Sequence, residues 1–104
     1  MWYSTHQTLM ETWRWISGYE YKISTVGRIK SYKNTQKTIL MPYLNNDNGY
    51  LSITLYCDGK RVQFLVHRLV AMTFIENPDN YEMVDHINQN KTDNRVENLR
   101  WVNR

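Results

Sequence analysis

An aspartate and a histidine stand side by side near the C-terminal end of the sequence, and an asparagine follows the histidine after a polar stretch. They are Asp85, His86 and Asn98, in the run MVDHINQNKTDNRVENLRWVNR. A carboxylate offers the hard anionic oxygen that Mg²⁺ or Mn²⁺ prefers, and a neutral imidazole can take a proton from water near neutral pH. A hydrogen bond from Nδ1–H of His86 to the Asn98 carbonyl would leave Nε2 free. The three residues therefore predict a site that holds a divalent cation and activates water.

The elements that would position these residues are short strands. Residues 83–85 predict an apolar strand, residues 87–97 a long polar loop, and residues 99–102 a final strand. At the frayed end of the first strand, Asp85 and His86 could both turn toward one polar pocket. An Asp-His pair at a strand end is more often a hydrogen-bonded surface pair, so this second interpretation stays open on these residues alone.

The polar loop has some of the residue types of a calcium-binding loop. Counted from Asn88, however, Asp93 stands where such a loop needs Gly, and Leu99 stands where it needs Glu. We interpret the loop as a turn-rich connector whose Asn and Asp side chains bond their own backbone.

The rest of the chain predicts hairpins and one helix. Aromatic and β-branched runs broken by Gly and by Asp58-Gly59 predict two hairpins, of residues 21–24 with 28–31 and of residues 50–56 with 61–66, the second closed by a turn at 57–60. The run HRLVAMTF, from His67, predicts a helix of two turns that ends before Asn77-Pro78. A histidine at the start of a helix more often has a structural role than a functional one, and we expect a structural role for His67. The fold class is α+β, with short antiparallel β-hairpins and one central helix.

Length and composition restrict the classes of protein that fit. The 104 residues suit a single domain with one modest core. Cys57 is alone, which excludes an internal disulfide and a Cys-rich zinc site and fits a reducing compartment. The sequence has no signal peptide and no stretch of about twenty apolar residues. We therefore expect a cytoplasmic protein without a membrane partner.

Charge is unevenly distributed along the chain. Residues 1–61 carry eight Lys and Arg against four Asp and Glu, whereas residues 62–104 carry five against six. This asymmetry points to a polyanion partner, although an ordinary solvated face would look similar. In the basic part, Lys22, Arg28, Lys30 and Lys33 alternate with aromatic and apolar residues. The alternation predicts a β-ribbon with one face on the core and a basic face on a DNA backbone.

Two stretches of the sequence carry a resemblance to known proteins. The runs VHRLVAMTF, VDHINQNKTDN and ENLRWV, within residues 62–104, resemble the HNH homing endonucleases of phages and mobile introns, whose catalytic core is a ββα-metal module. The run TWRWISGYEYKISTVGRIKSY, residues 12–32, is similar to a modular DNA-binding motif that accompanies such nucleases. The organisation expected is an N-terminal extension at 1–12, a β-rich DNA-binding motif region at 13–61 and an HNH nuclease core at 62–104.

The resemblance implies roles for individual residues. Asp85 would be a metal ligand, His86 the general base, and Asn98 the residue that orients His86. The implied reaction is hydrolysis of a DNA phosphodiester with a single Mg²⁺ or Mn²⁺. The residues expected to contact DNA are Arg14, Lys22, Arg28, Lys30, Lys33, Arg95 and Arg100.

The resemblance also implies a residue that this sequence does not include. Members of the family carry a third metal-site residue on a helix that would follow Arg104, the last residue here. We therefore expect a C-terminally truncated ββα-metal core, incomplete because the final helix is absent. The alternative to an endonuclease is a catalytically incomplete DNA-binding protein or a phage-encoded inhibitor that docks onto a protein partner. A shortened chain and a core completed by another chain both remain open.

Overall fold

Short runs of aromatic and β-branched residues form three small antiparallel sheets in this chain, because such side chains fit the half-buried surface of a pleated strand. The computed structural model describes residues 10–33 and 36–103; most of the expected N-terminal extension and Arg104 lie outside the described residues. In chain order the elements are β1 (Trp13–Trp15), β2 (Tyr21–Ser24), β3 (Ile29–Ser31), β4 (Thr38–Leu40), β5 (Tyr43–Leu44), β6 (Leu51–Cys57), β7 (Lys60–Leu65), α1 (Val66–Phe74), β8 (Met83–His86), a 3-10 helix (Val96–Asn98) and β9 (Leu99–Val102).

The first sheet is a meander with strand order β1-β2-β3-β4. The predicted hairpin of residues 21–24 and 28–31 is confirmed as β2 and β3, with β3 starting one residue later, at Ile29. Gly27 lies in its turn at φ 86°, a left-handed conformation that favours glycine. The buried Ser24 hydroxyl accepts hydrogen bonds from the backbone N–H groups of Val26 (3.2 Å) and Arg28 (3.1 Å). Strands β1 and β4 were not predicted.

The second sheet contains the strongest predicted hairpin. Strands β6 and β7 pair from Ser52↔Leu65 to Cys57↔Lys60, so the turn is the two residues Asp58-Gly59 rather than the four predicted. Both turn residues have positive φ, 52° and 76°, as a two-residue hairpin turn of this type requires. The short β5, which sequence reasoning missed, adds to the free edge of β6.

Helix α1 joins the three sheets. It starts one residue before the predicted start and ends at Phe74, ahead of Pro78. Its buried face, spaced by three and four residues, packs against strands of all three sheets. The buried hydrophobic cluster contains side chains from both sides of the expected boundary between residues 61 and 62; its members are Ile16, Tyr21, Ile23, Ile29, Ile53, Leu55, Val66, Leu69, Val70 and Leu99.

The third sheet is the pair β8–β9, in the register His86↔Leu99 and Asp85↔Arg100. Strand β9 has the predicted bounds, and β8 extends one residue further, through His86. The α+β class predicted from the sequence is confirmed. Within residues 10–33 and 36–103, no helix has the length and apolar character needed to span a bilayer.

Candidate active site

Strand β8 brings Asp85 and His86 to one cavity. Asp85 is half-buried and His86 is buried, with 5% of its surface exposed. A cavity of about 170 Å³ is lined by Tyr50, Val84, Asp85, His86, Gln89 and Lys91; we call it the site cavity. The expectation that the strand end lets both side chains reach a shared pocket therefore agrees with the geometry. Tyr50, Gln89 and Lys91 were not singled out by sequence reasoning, and no motif distinguished them from other loop and turn residues.

Asp85 pairs with the residue opposite it in the β8–β9 ladder. Its Oδ2 accepts a hydrogen bond from Arg100 Nε (3.1 Å) and lies 3.0 Å from Arg100 Nη2 in an ion pair. The two side chains are 42% and 59% exposed, so this is a solvent-screened ion pair that contributes little to stability. Arg100 thus lies beside the expected metal ligand, and its contact with a DNA phosphate stays a prediction.

The residue that holds the ring of His86 is Asn94, not Asn98. His86 Nε2 lies 2.8 Å from Asn94 Oδ1, and both residues are buried. With an oxygen as its partner, Nε2 carries the proton and Nδ1 keeps the lone pair, which is the opposite tautomer to the one predicted. No sequence signal separated Asn94 from the other asparagines of the loop.

Asn98 bonds the loop that precedes it. Its Oδ1 accepts from Asn88 N (3.0 Å), and its Nδ2 donates to Asn88 Oδ1 (3.0 Å) and to Asp93 O (2.8 Å). The physical reason is the register: Leu99 stands opposite His86, so Asn98 lies one residue past the ladder and faces the loop. The prediction that Asn98 bonds His86 is therefore wrong, and Asn98 instead fixes the site loop, residues 87–95.

The site loop is also fixed by its own side chains and by the first sheet. Asn88 Oδ1 accepts from the Asn90 backbone N–H (2.8 Å), and Asn90 Oδ1 accepts from that of Thr92 (3.1 Å), which confirms the turn-rich connector predicted. A Cβ added at Gly27 would lie 3.0 Å from Asn94 Cβ. The β2–β3 turn thus packs directly against the residue that holds His86.

Three rings pack together beside the site cavity, with Tyr50 stacked on His67 and on His86 and the two histidine rings tilted by 47°. His67 lies 4.7 Å from Tyr50 and 4.8 Å from His86, centroid to centroid. Its Nδ1 is buried without a hydrogen-bond partner, and burial, with the nearby His86 and Arg68 charges, lowers the pKa of His67 to about 4. His67 is therefore a neutral ring that packs under His86, in line with the structural role favoured from the sequence.

The predicted DNA-binding cations of the first sheet divide between its two sides. Lys22 lies over the rings of Trp15 (4.8 Å) and Tyr32 (5.3 Å). Arg28 and Lys30 lie over Trp13, at 5.5 and 4.4 Å. We call this surface the cationic sheet face; it consists of Trp13, Trp15, Lys22, Arg28, Lys30 and Tyr32.

Arg14 and Lys33 do not belong to the cationic sheet face. Arg14 alternates with Trp13 and Trp15 along β1, and it donates to Thr73 O at the end of α1 (3.1 Å). Lys33 donates to Tyr56 O (3.3 Å) and lies 5.8 Å from the centroid of the buried Tyr21. The prediction that Lys33 shares one basic face with Lys22 and Lys30 is therefore wrong, because its position in the alternation turns it toward the second sheet.

Arg95 is held by neighbouring carboxylates. Its Nε and Nη2 each donate at 2.8 Å to Asp93, and Nη1 lies 3.4 Å from Glu97. The Arg95 guanidinium lowers the pKa of Asp93 to about 2. Arg95 thus stabilises the site loop, and its contact with a DNA phosphate stays a prediction.

The donors at the site cavity suit one hard cation. Among the described residues, no three His, Cys, Asp or Glu side chains come together as a ready-made metal cluster. Asp85 nevertheless presents a half-buried carboxylate to the cavity, which is the ligand type that Mg²⁺ or Mn²⁺ prefers. The cavity residues therefore fit a hard cation held by Asp85.

Comparison with known proteins assigns both parts of the chain. Residues 64–104 match the HNH endonuclease family, and residues 11–56 match the NUMOD4 motif. The chain therefore contains an HNH endonuclease domain, preceded by a NUMOD4 motif. This family generally depends on a divalent metal ion, and the resemblance noted in the sequence is confirmed.

Several relatives are similar over most of this chain. An uncharacterised HNH endonuclease of Acanthamoeba polyphaga mimivirus is 44% identical over 81 residues, 78% of this chain and 24% of its own length. The DNA endonuclease I-HmuI of Bacillus phage SP01 is 39% identical over 92 residues, 86% of this chain and 51% of its own. The H-N-H endonuclease F-TflII of Escherichia phage T5 is 34% identical over 82 residues, 77% of this chain and 41% of its own. The chain spans about half the length of these relatives or less.

A solved structure shares the fold. The structure of the HNH homing endonuclease I-HmuI, described as showing DNA binding and cleavage, matches with a TM-score of 0.79 and 39% identity. The match covers 88% of this HNH chain and 52% of that one. The arrangement of sheets around α1 is therefore that of an HNH endonuclease.

We expect His67 to make stability depend on pH. Folded His67 stays neutral down to about pH 4, whereas an unfolded histidine protonates near 6.5. As pH falls through this window the unfolded chain gains a proton that the folded chain lacks, so the folded state loses roughly 3 kcal/mol. His67→Phe keeps a ring and removes this titration. Urea unfolding of both proteins at pH 7.5 and 4 should show the wild type losing more stability; an equal loss would contradict the assignment.

We expect Asn94 and Asn98 to act differently on His86. Asn94→Ala should change the nitrogen chemical shifts of the His86 ring, because Nε2 loses its partner. Asn98→Ala should leave those shifts closer to wild type but lower the free energy of unfolding by about 1–3 kcal/mol, because Asn88 N and Asp93 O lose their partner. NMR of ring nitrogens and urea unfolding measure the two effects. If Asn98→Ala changed the His86 ring nitrogen shifts more than Asn94→Ala did, Asn98 would be the residue that orients His86, as predicted from the sequence.

Proposed function

We propose that the chain is a metal-dependent HNH DNA endonuclease that hydrolyses phosphodiester bonds, as a homing-type enzyme that nicks or cuts its target. The observation that carries the proposal is the shared cavity of Asp85 and His86 at the end of β8, in a chain of this family. A carboxylate and an imidazole on one cavity are the groups that metal-assisted hydrolysis needs.

His86 is the general base in this proposal. Asn94 holds the ring through Nε2, so the lone pair on Nδ1 accepts the proton of the attacking water. The bond from phosphorus to the 3′ oxygen breaks as water adds, and the imidazole retains the proton. A positioned base of this kind contributes roughly 10²- to 10⁴-fold in rate. The stacked Tyr50 and His67 rings limit the tilt of His86, which keeps the lone pair aimed at one position.

Asp85 holds the cation in this proposal. A single Mg²⁺ or Mn²⁺ bound there would neutralise charge on the phosphate and on the departing 3′ oxygen. Arg100 pairs with Asp85 through Oδ2 of the carboxylate. The pair is solvent-screened and therefore weak, so loosening it for a cation would cost little.

DNA is bound by the cationic sheet face in this proposal. Lys22 and Lys30 lie over aromatic rings, and a cation over a ring keeps its net charge. Arg28 also lies over a ring, but its Nε and Nη2 donate to the Glu11 carboxylate, so its charge is offset locally. Phosphate contacts of such cations supply most non-specific affinity for DNA. If the protein binds DNA and does no chemistry, this surface supports the alternative of a nuclease-derived DNA-binding protein.

We expect metal-dependent cleavage that requires His86. Supercoiled plasmid incubated with the protein and Mg²⁺ or Mn²⁺ should become nicked or linear, and EDTA should stop the conversion. His86→Ala should cleave roughly 10²- to 10⁴-fold more slowly. Circular dichroism of the variant checks its fold. If wild type and His86→Ala convert plasmid at the same rate with metal present, the proposal is wrong.

We expect the cationic sheet face to set the salt dependence of DNA binding. In a His86→Ala background, Lys22→Met and Lys30→Met should each reduce the slope of log affinity against log salt by about 0.9, the value for one lost phosphate contact on duplex DNA. Lys33→Met is the matched control, because it removes the same charge on the other side of the sheet. Fluorescence anisotropy with a duplex measures the slopes. If Lys33→Met reduces the salt slope as much as the other two variants do, DNA does not bind specifically to the cationic sheet face.

A further inference from the structure

Lys91 lies at the site cavity without a carboxylate partner. It lines the cavity together with Asp85 and His86. Arg95 and Arg100 of the nuclease part bond carboxylates, and Arg68 donates to the Glu82 carbonyl. No ion pair among the described residues includes Lys91, which unlike these three arginines lines the cavity. The Lys91 ammonium therefore keeps its full charge beside the candidate metal ligand and the candidate base.

The Lys91 side chain is positioned by a turn of the motif region. Its Nζ donates to Asn48 O at 2.9 Å and lies 5.1 Å from the centroid of the Tyr50 ring. A Cβ at Gly49 would meet Lys91 Cδ at 3.2 Å, so the bare glycine leaves room for the side chain to cross the turn. These contacts place one ammonium at the edge of the cavity.

The turn that holds Lys91 is itself rigid. Gly49 N donates to Asn45 O at 2.7 Å, and Asn45 N donates to Tyr50 O at 2.9 Å. The side chains of Asn45 and Asn48 accept further bonds from backbone N–H groups two residues on, Asp47 N (2.8 Å) and Tyr50 N (3.0 Å). A fixed Asn48 carbonyl gives the lysine a fixed anchor. An ammonium has three N–H donors, and the Asn48 bond uses one of them.

We propose that Lys91 is a phosphate-binding residue of the active site, whose two other N–H groups donate to the non-bridging oxygens of a DNA phosphate in the cavity. The proposal deepens the proposed function and rests on it, because the anion is taken to be the DNA backbone. The cavity, at about 170 Å³, is several times the roughly 30 Å³ that one water occupies in the liquid, so it admits a phosphate group. Lys91 acts there as a point charge that contacts substrate.

A purely structural role of Lys91 would have different effects on stability and on DNA binding from those of a phosphate contact. If Lys91 only joined the site loop to the 45–50 turn, its removal would lower stability and leave the electrostatics of DNA binding unchanged. A phosphate contact instead changes the salt dependence of binding. The two roles are therefore separated by measuring binding and unfolding on the same variants.

The binding test uses the whole chain with His86→Ala, so that DNA stays intact. Lys91→Met should reduce the slope of log affinity against log salt for a short duplex by about 0.9. Lys60→Met, at the β6–β7 turn, removes the same charge away from the cavity and should keep the parent slope. Lys91→Arg, which keeps the charge, should also keep it. If Lys91→Met does not fold, the same comparison is made between Lys91→Gln and Lys91→Arg.

The kinetic test uses the chain with His86 intact. Lys91→Met should lower kcat by roughly tenfold or more, because charge builds on the phosphate oxygens in the transition state. Two results together would overturn this proposal alone: Lys91→Met keeps the salt slope of the His86→Ala protein, and with His86 intact it keeps the wild-type kcat, while the wild type binds and cuts DNA normally. A parent protein that binds no DNA at any salt concentration would overturn the proposed function and this proposal with it.

Discussion

The hydrogen bond between His86 and Asn94 depends on a polar loop that has no regular structure of its own, and that constraint governs the rest of the site. Nine residues between β8 and the 3-10 helix must hold one conformation without a ladder. They do so through side-chain bonds to their own backbone, through the Asn98 amide, and through the Asp93–Arg95 ion pair. Each bond is modest in net free energy, but an unpaired buried polar group would cost more, so the set favours one loop conformation.

The nuclease part does not hold this loop alone. The β2–β3 turn donates no side chain to the cavity, yet Gly27 contacts Asn94 and Thr25 O accepts from Val96 N at 2.8 Å. The second sheet supplies Tyr50 to the cavity and, through Asn48, the anchor for Lys91. Both parts also share one hydrophobic cluster. The motif region therefore lines and supports the site, in addition to presenting a candidate DNA-binding surface.

Local patterns predicted most of the elements and the location of the site. The Asp58-Gly59 turn, the helix before Pro78 and the strands around Asp85 and Leu99 depend on neighbouring residues, so periodicity and turn chemistry were sufficient for them. Sequence patterns did not predict strands β1, β4 and β5, because each has only two or three residues and pairs at a sheet edge. The hydrogen-bond partner of His86 was not predicted for another reason. The choice between Asn94 and Asn98 depends on the register of the ladder and on the contact with Gly27, and neither is local in sequence.

The uneven charge of the chain has a structural counterpart in what its cations contact. In the nuclease part, Arg95 and Arg100 bond carboxylates, so their charge is offset locally. In the motif part, Arg28 pairs with Glu11 in the same way, whereas Lys22 and Lys30 lie over aromatic rings, whose quadrupole holds a cation without neutralising it. Neutral His67 adds no charge beneath His86 at physiological pH. Lys22 and Lys30 of the cationic sheet face, and Lys91 at the site cavity, therefore keep charge that can attract a polyanion, and dissolved salt screens this attraction.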